Sequence, residues 1–211
     1  MSTEVTAHDG PLLKDINDPH FNNASPGKIG MWIFLGTDAL SFAGLLIGYG
    51  YMRLFKVDQW PNPVEALGGV KLSGFMTFLL ICSSVSMVLA IDACKNRDRK
   101  NLLFWLGATI IGGASFLGMQ VYEYTHLIHE MGMTFNSYTN GTSLFATTFF
   151  SVTGFHGLHV LAGTLYLSSL FVLAYKGAFD KGDYNLLEIA GLFWHFVDLV
   201  WILVFTFVYL L

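Results

Sequence analysis

Near its C-terminus the chain sets a histidine and an aspartate into an otherwise apolar run, Phe193–Trp201, FWHFVDLVW. His195 and Asp198 are three residues apart, so a helix puts them on one face, which Trp194 and Trp201 flank. Glu188 is the last charge before this run, and only Asp198 interrupts it as far as Leu211. An ionised carboxylate in hydrocarbon costs about 2.5–3.5 kcal/mol on insertion scales. Asp198 is therefore expected to face protein, with a partner or a proton. Such a helix needs other helices around it.

Five more polar residues lie in apolar stretches: Asp38, Gln120, Glu123, His156 and His159. Thr153, His156 and His159 fall at i, i+3 and i+6 on one face of a helix. Together with His195, the two histidines have the chemistry to ligate haem b or a metal, since imidazole is a common ligand in bundle cores. A bis-histidine haem asks for opposed histidines on two helices at matched depth, and this pattern does not offer them. The alternative is that they hydrogen-bond Asp198, Glu123 or backbone and hold helices together. Asp38 stands about ten residues into the first apolar run, about 15 Å deep at about 1.5 Å per residue. Proton handling and a paired structural carboxylate are both open to it. His126, His129 and Glu130 form an HxxHE cluster without the HExxH order of a zinc protease, and read as a solvated helix end. Asn140-Gly141-Thr142 matches a glycosylation sequon and is too short a match to carry an assignment. There is no Walker loop, GxSxG, CxxC pair or triad pattern, so the residues give no independent enzyme site and no metal site.

The elements that must position these groups are membrane helices. Of 211 residues, 54% are hydrophobic and only 12% charged, and mean hydropathy is +0.54. A soluble domain carries about 25% charged residues. The first 27 residues are polar, acidic and broken by Pro11, Pro19 and Pro26, which gives a short soluble tail with no signal peptide. Residues 28–211 form the membrane domain, with helices expected at about 28–54, 71–93, 101–127, 141–175 and 185–211. Gly36, Gly44 and Gly48 make one stripe on the first helix, and Gly44-xxx-Gly48 is a close-packing motif. Trp32, Trp194 and Trp201 are expected to face lipid or to pack. Cys82 and Cys94 suggest neither a disulfide framework nor covalent haem. At a net charge of −4, no basic cluster is large enough for nucleic acid.

Orientation follows from lysine and arginine. With the N-terminus cytoplasmic, the inside holds Lys14, Lys28, Lys95, Arg97, Arg99, Lys100, Lys176 and Lys181, and the outside only Arg53, Lys56 and Lys71. An N-in, C-out, all-α bundle of five spans is expected. Five unrepeated spans also disfavour a proton-coupled transporter built on Asp38, Glu123 and Asp198.

From Lys28 to Leu211 the chain resembles subunit III of the haem–copper oxidases, the cytochrome c and quinol oxidase type. The resemblance rests on Phe193–Asp198 with Trp201, on Thr153–Val160 (TGFHGLHV), on Gln120 with Glu123-Tyr124, and on Ser83-Ser84, in family order and spacing. Two features depart from the family. Trp32-Ile33-Phe34 is followed by Thr37-Asp38 where Ser-Glu is usual, so the buried acid is one methylene shorter. The chain also begins at what would be the third helix of the seven-helix form, as in five-helix bacterial versions. The lipid-holding cleft between the two helix groups is then open, or is completed by another subunit.

The resemblance implies a non-catalytic subunit that binds no haem or copper itself, these lying in partner subunits. It implies direct packing on subunit I, with subunit II and other respiratory-complex subunits as further partners. It also implies bound structural phospholipids and support of proton uptake and turnover lifetime. The setting would be a proton-pumping terminal oxidase, reducing O2 to water in a bacterial cytoplasmic membrane. Two alternatives are a subunit III-like component of a nitric oxide reductase, with the same fold, and an independent membrane haem b protein.

Overall fold

The computed structural model describes residues 25–139, 141–180 and 183–211. Most of the expected tail, the sequon's Asn140, and Lys14 and Lys181 of the charge count lie outside the described residues. Five long helices dominate: α1 (Pro26–Phe55), α3 (Lys71–Lys95), α4 (Arg99–His129), α5 (Ser143–Tyr175) and α6 (Asn185–Val204). The last continues into a π-helical turn, Phe205–Leu210. Between α1 and α3 lie a 3-10 turn, Val57–Gln59, and the short α2, Pro63–Ala66. All five long helices are apolar and long enough to cross a membrane. The fold is an all-α membrane bundle.

The ends follow local chemistry. Ser25 caps α1, accepting from the Lys28 backbone N–H, and Pro26 sits in the first turn, where a missing N–H costs nothing. The helix thus starts inside the segment read as tail. Asp98 caps α4 and Thr142 caps α5 in the same way. The helix expected to end at about residue 127 runs on to His129. The loop after it holds a two-residue hairpin pairing Met133–Thr134 with Ser137–Tyr138. Gly177, at φ 85°, ends α5 in the left-handed conformation, and the Ala178 N–H closes back on Leu173 O.

Helices α3, α4, α5 and α6 form a ring in which each packs on two others, and α1 lies outside it against α5 and α6. Small residues let the ring close. The Trp194 indole sits so near Gly113 and Gly163 that a Cβ would lie 2.5 Å from its Cη2 at Gly113 and 3.1 Å from its Cε3 at Gly163. Gly112 is fitted the same way to Ser83 Cβ, at 2.7 Å. Without a hydrophobic force between helices in lipid, such close approach supplies the van der Waals contact that holds them.

The Gly44-xxx-Gly48 motif does not do this inside the chain. A Cβ at either glycine meets nothing within 4 Å, because the stripe turns away from α5 and α6. Trp32 likewise points outward, 63% exposed, whereas Trp194 and Trp201 are buried. Leu40, Ile47, Phe104, Ile111 and Val121 complete an apolar exterior of the kind that lipid or another protein covers.

Gly113→Ala should therefore destabilise the bundle by about 1–3 kcal/mol, the usual cost of overpacking against a rigid ring. Gly44→Ala should be neutral or stabilising by up to about 1 kcal/mol, since it only exchanges glycine for a better helix former. Unfolding in detergent, followed by helical circular dichroism, compares the two. Equal losses would contradict the packing described.

Candidate functional site

The polar residues singled out in the sequence are buried or half-buried, and most of them tie one helix to another. On α6, His195 and Asp198 both turn toward α3. Ser84 Oγ lies 2.6 Å from His195 Nδ1, and the same hydroxyl faces the Asp198 carboxyl. The two tryptophans do not merely flank this pair. Trp194 Nε1 donates to Ser83 Oγ at 3.1 Å, and Trp201 Nε1 donates to Thr77 Oγ1 at 2.9 Å. Ser83 and Thr77 are six residues apart on α3 and Trp194 and Trp201 seven apart on α6, so the antiparallel neighbours meet at two levels, and the α3–α6 seam becomes a polar ladder.

On α4, Gln120 Nε2 donates to Thr153 O at 2.8 Å, and the Tyr124 hydroxyl meets Thr153 Oγ1 at 2.7 Å. Gly157 makes room for this amide: a Cβ there would lie 2.6 Å from Gln120 Oε1. Glu123 accepts a 2.8 Å hydrogen bond from the Tyr209 hydroxyl. Tyr209 belongs to the π-helical turn, whose wider winding departs from α6 and places Val208 and Tyr209 in the interior. Between α3 and α4, Ser86 Oγ and Thr109 Oγ1 are 2.8 Å apart.

On α1, Asp38 is 8% exposed and its Oδ1 lies 3.3 Å from His159 Nε2 of α5. His159 Nδ1 is 2.8 Å from Phe155 O. His156 makes no hydrogen bond among the described residues and is fully buried. It lies against Trp201, at 4.9 Å between ring centroids and 33° between planes, with the Phe116 edge at 5.7 Å.

The seven residues therefore do not converge on one point. Asp38 joins His159, His195 and Asp198 share Ser84, and Gln120 and Glu123 are engaged separately. His156, His159 and His195 are not a ligand set, since His159 and His195 are bonded in different directions. His126 Nδ1 pairs with Glu130 Oε2 at 3.1 Å at the end of α4, with no third ligand. Among the described residues no three histidine, cysteine or acidic side chains gather as a metal site would require.

At one end of the bundle the links are ionic. Lys28 of α1 and Lys95 of α3 both pair with Glu188 of α6, the latter at 2.9 Å, and Ser25 Oγ donates to Asn185 Oδ1 at 2.9 Å. Beside these pairs a groove of about 470 Å³ opens between α1, α3 and α6, walled by Val88, Ile91 and Leu192, with His195 lining it. Sequence reasoning did not single out Tyr209, Thr77 or this groove. The near match between the seven residues from Trp194 to Trp201 and the six from Thr77 to Ser83 was available as a signal for the second. Nothing local marks Tyr209, because a π turn does not show in residue types.

The family model for cytochrome c oxidase subunit III matches residues 16–211. Cytochrome c oxidase subunit 3 of Bacillus sp. (strain PS3) is 36% identical over 196 residues, covering 92% of this chain and 91% of that protein. Cytochrome c oxidase subunit 3 of Synechocystis sp. is 38% identical over 214 residues, covering 100% and 88%. Quinol oxidase subunit 3 of Bacillus spizizenii is 32% identical over 183 residues, covering 87% and 86%.

Removing the Tyr209 hydroxyl strands a buried carboxylate oxygen. Tyr209→Phe should cost about 1–3 kcal/mol, whereas Glu123→Gln, which still offers that hydroxyl an acceptor, should cost less. Denaturation of the two variants in matched detergent gives the order, and the reverse order would rule out this pairing.

Proposed function

The chain belongs to the cytochrome c oxidase subunit III family, and from that membership we propose how this subunit serves its terminal oxidase. It packs directly on subunit I, with subunit II as a further partner, in a bacterial cytoplasmic membrane with its N-terminus inside. The complex reduces O2 to water and pumps protons, with haem and copper held by the other subunits. This chain supplies framework, lipid retention and support for proton uptake. The observation that carries the reading is the dispersal of its buried polar groups. They connect α1 to α5, α3 to α6, α4 to α5 and α4 to the C-terminal turn, instead of meeting where a substrate could react. Relatives named for cytochrome c and for quinol oxidases resemble the chain to a similar degree, which favours a donor chosen by other subunits.

The groove beside Lys28, Lys95 and Glu188 is suited to a phospholipid. Its walls are apolar, matching acyl chains, and its mouth carries both charge signs, Lys28 and Lys95 with Asp92 and Glu188, matching a headgroup. The outward Gly36–Gly44–Gly48 stripe on α1 leaves a smooth surface for a neighbouring subunit or lipid.

Mild-detergent purification of the chain from its native membrane should give haem bands only when larger subunits co-elute. The chain expressed alone should be haem-free, and stoichiometric haem on it would overturn the reading. In the intact complex, Lys28→Gln with Lys95→Gln should lower co-purifying phospholipid by about twofold or more while the subunits still co-elute. Unchanged lipid in that complex would remove the groove from the proposal.

A further inference from the structure

The groove between α1, α3 and α6 is polar at two levels. Two antiparallel faces wall it. On α6, Glu188, Gly191 and His195 follow at i, i+3 and i+7, and on α3 Val88, Ile91 and Lys95 do the same. At the mouth Lys95 meets Glu188 at 2.9 Å, Lys28 joins the same carboxylate, and Asp92 stands beside them. Inward from there the lining is Ile91, Leu192 and Val88, and Gly191 offers no side chain. The next polar group is His195, seven residues and about 10 Å along α6 from Glu188.

The His195 ring is aimed by its neighbours. Side chains on a helix lean toward its N-terminus, which for α6 is the end that bears Glu188. The ring therefore sits on the mouth side of its own Cα. From α3, Ser84 Oγ lies 2.6 Å from Nδ1, shorter than the range of about 2.7–3.2 Å for N–H donors and within that of hydroxyl donors. With the hydroxyl donating to Nδ1, a neutral ring carries its hydrogen on Nε2. Nε2 makes no hydrogen bond among the described residues, and the half-buried ring lines the groove.

That depth belongs to one part of a phospholipid. The interfacial layer on each side of the hydrocarbon core is about 5–7 Å thick, and the ester linkages lie at its inner boundary, beneath the headgroup. Ester carbonyl oxygens accept hydrogen bonds and have no proton to give. An N–H donor just below a charged mouth complements them, and hydrocarbon alone would leave it unpaired.

We infer that His195 is the inner polar contact of the groove's phospholipid, donating from Nε2 to an ester carbonyl oxygen while the Lys28–Glu188–Lys95 cluster meets the headgroup. The inference rests on the phospholipid reading of the groove given above and adds which lipid the groove selects. It takes an ester-linked diacyl phospholipid over an ether-linked one of the same headgroup and chain length, because ether oxygens are poor acceptors. Ser84 acts through His195 as a positioning residue.

The test uses the intact complex, mildly delipidated and reloaded with equal amounts of diester and dialkyl ether phosphatidylethanolamine of matched chain length. Lipid retained after detergent washing is counted by mass spectrometry. The amount lost when Lys28→Gln and Lys95→Gln are combined is the groove's share. Within that share the parent should hold the diester by about threefold or more over the diether. His195→Leu should abolish the preference, and His195→Gln, whose amide N–H still donates, should keep part of it. A share with no ester preference, or a preference undiminished in His195→Leu, would overturn this inference and leave the groove reading standing. No loss at all with the lysine variants would overturn both. One measurement needs no variant to assemble as the parent does. Nitrogen-15 at His195 and carbon-13 at the lipid ester carbonyl should lie within about 4 Å of each other by solid-state magnetic resonance. The absence of that contact in the parent would equally rule the inference out.

Discussion

Hydrocarbon offers no hydrogen bonds, and the rest of this structure depends on that constraint. A hydroxyl, indole N–H or carboxyl inside a membrane helix finds its partner on its own backbone, on another helix, or not at all. Serines and threonines here often turn to a carbonyl three or four residues back, as Thr153 does to Phe149. Those that also reach across set the helix pairing. Interhelical bonds of this kind contribute only about 0.6 kcal/mol each on average in membranes. Their larger effect is on specificity, since a slipped helix would strand Trp194 and Trp201 away from Ser83 and Thr77. The close approach at Gly112, Gly113 and Gly163 adds the packing that lipid cannot replace.

A subunit built on this principle differs physically from one that carries chemistry. Reaction centres draw polar groups to one point and leave a reactive atom accessible. Here the groups are spread along the membrane depth, and most are occupied with one another. His156 differs, buried against Trp201 and Phe116 with no hydrogen-bond partner among the described residues, and it packs as an aromatic side chain. The result is a tightly linked bundle whose external faces are apolar.

Helix α1 is the part of the scaffold most open to its surroundings. Among the long helices it packs chiefly on α5 and α6, and its hold is local: the Lys28–Glu188 and Ser25–Asn185 links at one end, Asp38–His159 within the membrane, and Tyr49 toward Val208 O near the other. The middle link sits in a seam that is otherwise aromatic, with Phe155 and Phe42 against the His159 ring. The groove between α1, α3 and α6 depends on where α1 sits.

The sequence by itself determined the class, the number of spans and the identity of the buried polar residues. Long apolar runs broken by single acids and histidines admit few other folds, because the cost of a charge in hydrocarbon is paid residue by residue. It also carried the family, through clustered motifs such as FWHFVDLVW and TGFHGLHV. Helix ends were less legible: α4 persists to His129 because its last turns pack against the loop that follows, which no local pattern records. Only the tertiary structure decided the pairings. Helix periodicity says which residues share a face but not which helix that face meets. Hence His195 was found with Ser84 and Glu123 with Tyr209. The Gly44–Gly48 stripe proved to face outward, for the same reason. Its spacing allows a close neighbour, and the arrangement of the other helices places none there.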